Sequence, residues 1–321
     1  MLATSRWITA ALLAIAATAA TAQAWPNRPV RFFVAGAAGS APDVIARILG
    51  DGLTGIWGQQ VVVDNRPGAA GNVGTAAAAK APADGYNILF GQAAPLAMNQ
   101  YTFKTLPFDG EKDFVPVVSV GVSPMMIAVN NDLPVRNLAE FIAYAKAHPG
   151  NVNYGTSSSR NIPHLVGAML ANMAGIKLVH VPYKSNSQAA SETATGLTQV
   201  YVDGVPAMMP FIQSNRLRVL AVTSAKRLAN FPDIPTVAET LPGYEFNGWF
   251  AIVAPAGTPP EIIAQINKDA NTVLQSPAMV ARLAGLGIYE PGGTPEQLAK
   301  FLRSERANYA GAVKAAAIEP E

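Results

Sequence analysis

The 321-residue sequence contains no cysteine. This absence excludes disulfide bonds, thiolate metal sites, cysteine nucleophiles and an acylated N-terminal cysteine. Histidine is also scarce, since only His148, His164 and His180 occur, and no two of them have the H-x-x-x-H spacing of a metal site. The sequence therefore predicts no metal, no cofactor and no metal-dependent catalysis.

The sequence also has little net charge. Lysine and arginine number 23, aspartate and glutamate 21, and the formal net charge is only +2. Nucleic-acid-binding proteins carry a pronounced basic excess, so no nucleic-acid partner is predicted. Half of the residues are hydrophobic, which is ample material for a core, and the length indicates about two domains.

The N-terminus has the pattern of a signal peptide. Arg6 gives a positive start, residues 7–20 form an apolar run, and residues 22–24 form an A-x-A cleavage site. A transmembrane helix is the alternative, but the apolar run is short for a bilayer and prolines follow it at once. We therefore predict cleavage of residues 1–24 and export to the periplasm.

Runs typical of strands and helices alternate along the rest of the chain, which predicts an α/β fold with parallel sheets. The first predicted strands are residues 30–35, 60–64 and 87–90, and the first predicted helices are residues 42–54 and 72–80. Two later helices have capping-box signals, at Thr258 to Glu261 and at Thr294 to Gln297. We find no repeat and no flexible linker.

Ten short motifs then occur in a fixed order, and together they resemble the Bug family, the TctC-like solute receptors of tripartite tricarboxylate transporters. They are WPNRPV (25–30), VVVDNRPG (61–68), AAGN (69–72), DGY (84–86), LPFD (106–109), KDF (112–114), VHVPYK (179–184), LAVTS (220–224), IPTVAE (234–239) and APAGTP (254–259).

The resemblance implies a periplasmic binding protein fold of two lobes with a ligand cleft between them. We expect one lobe at residues 25–123 plus 248–321 and the other at 124–247. The implied function is capture of a small organic carboxylate by a monomeric, non-enzymatic protein that delivers it to the membrane permease subunits of a transporter. This chain departs from the family at residues 34–40, 185–187 and 195–199, so the substrate stays open.

One candidate ligand loop follows the first predicted strand. Ala38, Gly39 and Ser40 lie in a small-residue turn, and Ser40 with Asp43 gives an N-terminal cap signal. Backbone N–H groups in such a turn, together with the helix dipole, can hold a carboxylate without a charged side chain. The alternative is that the glycines merely permit a tight turn.

The second candidate loop is serine-rich. Thr156, Ser157, Ser158 and Ser159 follow a predicted strand and offer hydroxyl and amide groups to an anion. Arg160 either makes a bidentate contact with the carboxylate or is simply solvated.

Three further candidates follow predicted strands, where open α/β sheets bind ligands. These are Gln92, Tyr183 and Asp203. Asp203 either accepts a hydrogen bond from the ligand or caps the helix that follows it.

His164 is the histidine near the serine cluster, and it completes the candidate ligand-binding residues. A hydrolase would combine it with a serine of residues 157–159 and with Asp203. However, the G-x-S-x-G nucleophile motif is missing, and His164 is close enough in sequence to cap or pack against its own helix. A receptor that presents its ligand to a membrane sensor is the other alternative, because such a receptor closes on its ligand in the same way.

Overall fold

The computed structural model describes residues 25–157, 159 and 161–321. The predicted signal peptide, Ser158 and Arg160 lie outside these residues. The described chain forms two five-stranded sheets, each with helices packed against it. The predicted α/β, two-lobed fold class is therefore confirmed.

The first sheet combines strands from both ends of the chain. Its strands are β1 (Val30–Val34), β2 (Val61–Asn65), β3 (Asn87–Gln92), β4 (Phe114–Ser123) and β10 (Gly248–Pro255), in the order β2-β1-β3-β10-β4. Strand β1 is parallel to β2 and β3, whereas β10 is antiparallel to both of its neighbours.

The second sheet is built from one continuous part of the chain and repeats this pattern. Its strands are β5 (Met125–Asn130), β6 (Val152–Thr156), β7 (Leu178–Pro182), β8 (Val200–Gly204) and β9 (Leu217–Val222), in the order β7-β6-β8-β5-β9. Strands β7 and β8 are parallel to β6, and β5 is antiparallel to β8 and β9.

Nine α-helices connect or cover the strands in the described residues. They are α1 (Ala41–Trp57), α2 (Asn72–Ala79), α3 (Leu138–Ala147), α4 (Ile162–Ala174), α5 (Asn186–Ala194), α6 (Val205–Gln213), α7 (Pro260–Leu274), α8 (Pro277–Gly285) and α9 (Pro295–Ala315). None of the helices within the described residues is both long and apolar enough to span a bilayer.

Burial explains why these runs form central strands. All six residues of β5 are buried, and β1 buries Phe32 on one face and Phe33 on the other. A strand that is apolar on both faces needs cover on both sides, which the helices supply. The alternating sequence pattern therefore positions the strand ends, where the loops of the candidate site begin.

The chain crosses between the sheets at two points that hydrogen bonds tie together. Only Pro124 separates β4 from β5, and Asn247 precedes β10. The hydroxyl of Thr223 accepts from the Met125 amide at 2.9 Å and donates to the Asn247 side chain at 3.1 Å. From α9, the Tyr309 hydroxyl donates to the Asn247 carbonyl at 2.8 Å. The two crossings thus form one bonded unit beneath the candidate site.

Candidate ligand-binding cleft

A cavity of about 950 Å³ lies between the two sheets. Its wall includes residues after β1, β2 and β3 from one side and residues after β6, β7 and β8 from the other. Three other cavities in the described residues are smaller, with volumes of about 140, 240 and 250 Å³. A concave space of this size where parallel strands end is the usual place for a small ligand in open α/β folds.

Five helices begin at the wall of this cavity. The lining residues at these helix starts are Ala41 of α1, Gly71 before α2, Asn161 to Pro163 of α4, Ser185 and Asn186 of α5, and Gly204, Pro206 and Ala207 of α6. The first amides of a helix have no partner inside the helix and carry the positive end of its dipole. The cavity therefore favours negative charge.

The five helix starts differ in how they are capped. The Asn161 side chain accepts from the His164 amide, and the Ser185 side chain accepts from the Gln188 amide, so α4 and α5 are capped. Within the described residues, α1, α2 and α6 have no side-chain cap bond. At α2, however, the amides of Gly71 and Val73 donate to the Gly68 carbonyl and that of Asn72 to Ala69. At α6 the Gly204 amide donates to Asp203. The first amides of α1, apart from Pro42, which has no N–H, therefore remain for an acceptor in the cavity.

The loop before α2 has a strained backbone. Ala69 and Ala70 have φ values of 46° and 52°, in the left-handed region that non-glycine residues rarely adopt, and Gly68 and Gly71 flank them at 128° and 90°. The buried Asn99 side chain donates to the Ala70 carbonyl at 3.1 Å. Since Ala70 lines the cavity, the strained backbone of this loop lies directly at the cavity wall.

The predicted loop after β1 organises itself internally. The Gly39 amide donates to Asp43 at 2.8 Å, and the Ser40 amide donates to the Ala37 carbonyl at 3.1 Å. Ala38, Gly39, Ser40 and Asp43 do not line the cavity, although their neighbours Gly36, Ala37 and Ala41 do. Two of the three candidate amides therefore already have acceptors.

Asp43 is 3% exposed and holds this loop together. Burial raises the pKa of its carboxyl, but hydrogen bonds from Arg47, the Gly39 amide and Asn65 outweigh burial and lower the net pKa. The carboxylate thus stays charged and fixes the turn that leads into α1.

The serine-rich loop after β6 is supported by a pair of stacked histidines. Ser157 lines the cavity and accepts from the Asn161 side chain at 3.2 Å, whereas Thr156 is buried beneath it and contacts the His180 ring at 2.7 Å. The His164 and His180 rings stack with centroids 3.8 Å apart. Burial, and secondly the nearby His164, lower the pKa of His180 to about 4, so the His180 ring is uncharged at neutral pH.

The remaining candidate residues at strand ends fall into two groups, those that line the cavity and those that do not. Gln92 and Asp203 line the cavity from opposite sheets. Tyr183 is outside the lining, because its ring packs against Gly155. Ser159 and His164 are also outside the lining. The structure thus brings Gln92, Ser157 and Asp203 together around one space.

Asp203 is 7% exposed and accepts two hydrogen bonds of 2.7 Å, from the Tyr201 hydroxyl and from the Gly204 amide. Burial raises the pKa of this carboxyl to about 6 against those two bonds. Of the described residues that line the cavity, only Asp203 and the exposed Lys184 have ionisable side chains.

Sequence reasoning missed much of the wall. Gly68 and Gly71 belong to family motifs and could have been found as glycines at a strand end. Leu286 and Ile288 follow α8 and give no sequence signal, because apolar residues after a helix are equally typical of a core. With Met125, Trp249 and Phe250 they form the apolar part of the wall.

Among the described residues, no group of three histidine, aspartate or glutamate side chains could hold a metal ion.

Known proteins share both sequence and fold with this chain. The family described as tripartite tricarboxylate transporter family receptor (TctC) matches residues 45–317. Protein BugT of Bordetella pertussis is 36% identical over 296 residues, which cover 92% of this chain and 91% of BugT.

Solved structures agree with this match. The structure of R. palustris Rpa4515 with adipate has a TM-score of 0.84 and 34% identity, and it covers 92% of this chain and 100% of that one. The periplasmic binding protein BugD has a TM-score of 0.79 and 30% identity, with coverage of 92% and 100%. The resemblance found in the sequence motifs is confirmed: this chain belongs to the TctC family of solute-binding receptors.

Proposed function

We propose that this protein captures a small organic carboxylate in the cavity between its sheets and delivers it to the membrane permease subunits of a tripartite tricarboxylate-type transporter. The observation that carries the proposal is the convergence of five helix N-termini on one cavity. A favourable helix terminus contributes about 0.3–1 kcal/mol to holding an anion, so several of them can replace a cationic side chain.

The proposed contacts follow from the lining and the caps. The uncapped start of α1 supplies backbone donors, and Ser157 and Gln92 supply side-chain donors. Ala38, Gly39, Ser40 and Asp43 are proposed to shape the approach to α1, and Thr156, Ser159, His164 and Tyr183 to shape the loop opposite. Arg160 and Ser158 keep their predicted roles as proposals.

A relative supports the ligand class. Rpa4515, which is 34% identical to this chain, was solved with adipate. Adipate, a flexible six-carbon dicarboxylate, is therefore a sensible first probe for this cavity. Apolar residues such as Met125 and Phe250 suit the methylene body of such a molecule.

Catalysis is not part of the proposal. The His164 ring stacks on His180, and its backbone amide is bonded to Asn161. The Asp203 carboxylate is bonded to Tyr201 and Gly204. These contacts favour non-catalytic roles for both groups over a serine hydrolase triad.

We further infer a monomer with one lobe at residues 25–123 plus 248–321 and the other at 124–247, exported to the periplasm after removal of residues 1–24. The family's members are periplasmic binding proteins, which supports this location. Light scattering of the purified mature protein tests the monomer, and N-terminal sequencing of the exported protein tests the cleavage.

Anion capture is tested by placing a carboxylate where the ligand's carboxylate is expected. Ala41→Asp introduces one at the start of α1 inside the cavity, and Ala278→Asp introduces one at the exposed start of α8, which does not line it. Aspartate suits the first turn of a helix, so neither variant should unfold.

The measurement is a thermal-shift titration with adipate. Adipate at 100 times its Kd stabilises the wild type by roughly 2.7 kcal/mol. We expect the Ala278→Asp variant to keep this shift and the Ala41→Asp variant to lose it, while dimethyl adipate, which has no charge, shifts none of the three. Equal shifts in both variants, or a shift with the diester, would contradict carboxylate capture at the helix starts.

A further inference from the structure

The cavity that we propose for carboxylate capture contains an anion of its own. Asp203 is almost fully buried at the end of β8, and its described partners are the Tyr201 hydroxyl and the Gly204 amide, both uncharged. Neither bond neutralises the carboxylate. Lys184, the other ionisable residue among the described residues of the wall, is exposed to solvent. The wall is thus attractive to anions at the start of α1 and repulsive to them at Asp203, which lies just before α6.

Asp203 retains capacity for a further hydrogen bond. An ionised carboxylate has about four lone-pair sites, and the two described bonds use one on each oxygen. A group that fills the remaining sites has to be a donor, because a carboxylate accepts only.

Gln92 supplies a second, independent indication from the opposite sheet. Its Nε2 atom is fully buried and has no hydrogen-bond partner among the described residues, and Gln92 lines the same cavity. A buried amide donor needs an acceptor, which a ligand carboxylate or carbonyl oxygen provides. The two side chains therefore need opposite groups on a ligand: Gln92 needs a hydrogen-bond acceptor, and Asp203 needs a donor.

Apolar residues occupy the wall near both polar side chains. Phe250 pairs with Gln92 across β10 and β3, and Met126, next to the lining residue Met125, pairs with Asp203 across β5 and β8.

We infer that Asp203 selects among carboxylates by accepting a hydrogen bond from an amide, ammonium or hydroxyl group at the end of the ligand away from its carboxylate. Preferred ligands are then monocarboxylates with a remote N–H or O–H donor, and dicarboxylates bind less well. The inference rests on the proposed carboxylate capture.

Four six-carbon probes separate the effects of charge and hydrogen bonding. They are adipate, its half-amide adipamate, 6-aminohexanoate and hexanoate, which have the same chain length but end in a carboxylate, an amide, an ammonium and a methyl group. By calorimetry, the wild type should bind adipamate and 6-aminohexanoate at least about tenfold more tightly than adipate, a difference of roughly 1.4 kcal/mol. Hexanoate should fall below adipamate, because it offers Asp203 no donor.

Asp203→Asn removes the charge and keeps the shape. In this variant adipate should bind at least about tenfold more tightly than in the wild type, and 6-aminohexanoate at least about tenfold more weakly. Asp269→Asn is the matched control, since Asp269 is 5% exposed, accepts from the Trp57 indole at 2.7 Å and is outside the cavity lining. It should leave every affinity ratio unchanged.

The outcomes separate the two proposals. Binding of adipate by the wild type as tightly as adipamate, or an unchanged ratio in the Asp203→Asn variant, overturns the selection by Asp203 and leaves carboxylate capture standing. Failure of all four probes to bind overturns carboxylate capture itself. The comparison of probes within the wild type holds even where the Asp203→Asn variant does not fold.

Discussion

At the scale of single residues, burial decides the chemistry of the polar groups in the cleft. Asp203 and Asp43 are both aspartates next to helix starts, yet burial raises the pKa of Asp203 to about 6, while Arg47, Gly39 and Asn65 lower that of Asp43. The sequence identified both positions but could not distinguish them, because their partners Tyr201 and Asn65 follow from strand pairing and loop geometry.

Asp203 should make stability depend on pH. Its pKa is about 6 in the folded protein against an ordinary 3.8, so the folded state keeps its proton at a higher pH than the unfolded state. The stability from this group is complete below pH 3.8 and is lost as the pH rises through about 6. The shift corresponds to about 3 kcal/mol.

Urea unfolding of the wild type and the Asp203→Asn variant at pH 4 and pH 7 measures this loss. The free energy of unfolding of the wild type should fall relative to the variant by up to about 3 kcal/mol between the two pH values. A difference between the two proteins that is the same at both pH values would show that Asp203 titrates normally.

At the scale of helices and strands, sequence signals predicted the elements well and their terminal contacts less well. The capping box at Thr294 and Gln297 is confirmed in α9, whereas the one at Thr258 and Glu261 is wrong, because the Thr258 hydroxyl donates to the Pro255 carbonyl and Pro259 takes the cap position. Ser40 is the cap residue of α1 as predicted, but its hydroxyl donates to Ala37. Turn geometry outside the helix decides these bonds.

Gly167 of α4 should be irreplaceable for a reason of packing. A Cβ atom at this position would overlap the Tyr154 ring, which lies beside the stacked histidines. We expect Gly167→Ala to destabilise the protein by about 1–3 kcal/mol, even though alanine is the better helix former.

Gly55 of α1 is the matched control, since an added Cβ meets nothing within 4 Å and the residue is exposed. Gly55→Ala should stabilise the protein by about 0.5–1 kcal/mol. Chemical denaturation of both variants checks the pair, and a loss of stability in both would mean that helix propensity, not contact with Tyr154, sets the effect.

At the scale of the whole molecule, the family motifs predicted two lobes, but no pattern in the sequence gives the width of the cleft. That width depends on the crossings at Pro124 and Asn247, which Thr223 and Tyr309 hold from distant parts of the chain. The strained loop at Ala69 and Ala70 was equally beyond prediction, because alanine gives no signal for a left-handed backbone.

The cleft should narrow when a ligand binds. A cavity of about 950 Å³ is at the upper end of small-molecule sites, and a six-carbon acid fills little of it. Movement of the lobes about the two crossings brings the capped and uncapped helix starts onto one ligand. Small-angle X-ray scattering should show a smaller radius of gyration with saturating adipate in the wild type and no change in the Ala41→Asp variant. Identical wild-type curves with and without adipate would mean capture without closure.

The position of β10 has a consequence for how the chain reaches its folded state. This strand lies between β3 and β4, yet it is synthesised after every strand of the second sheet. During synthesis from the N-terminus, β3 and β4 therefore lack their shared partner strand β10 while residues 125–222 complete the second sheet. Pairings across such long sequence separations form slowly, and open strand edges aggregate in the meantime. The first sheet, which contains the strands that are made first, is thus completed last, once residue 255 has been synthesised.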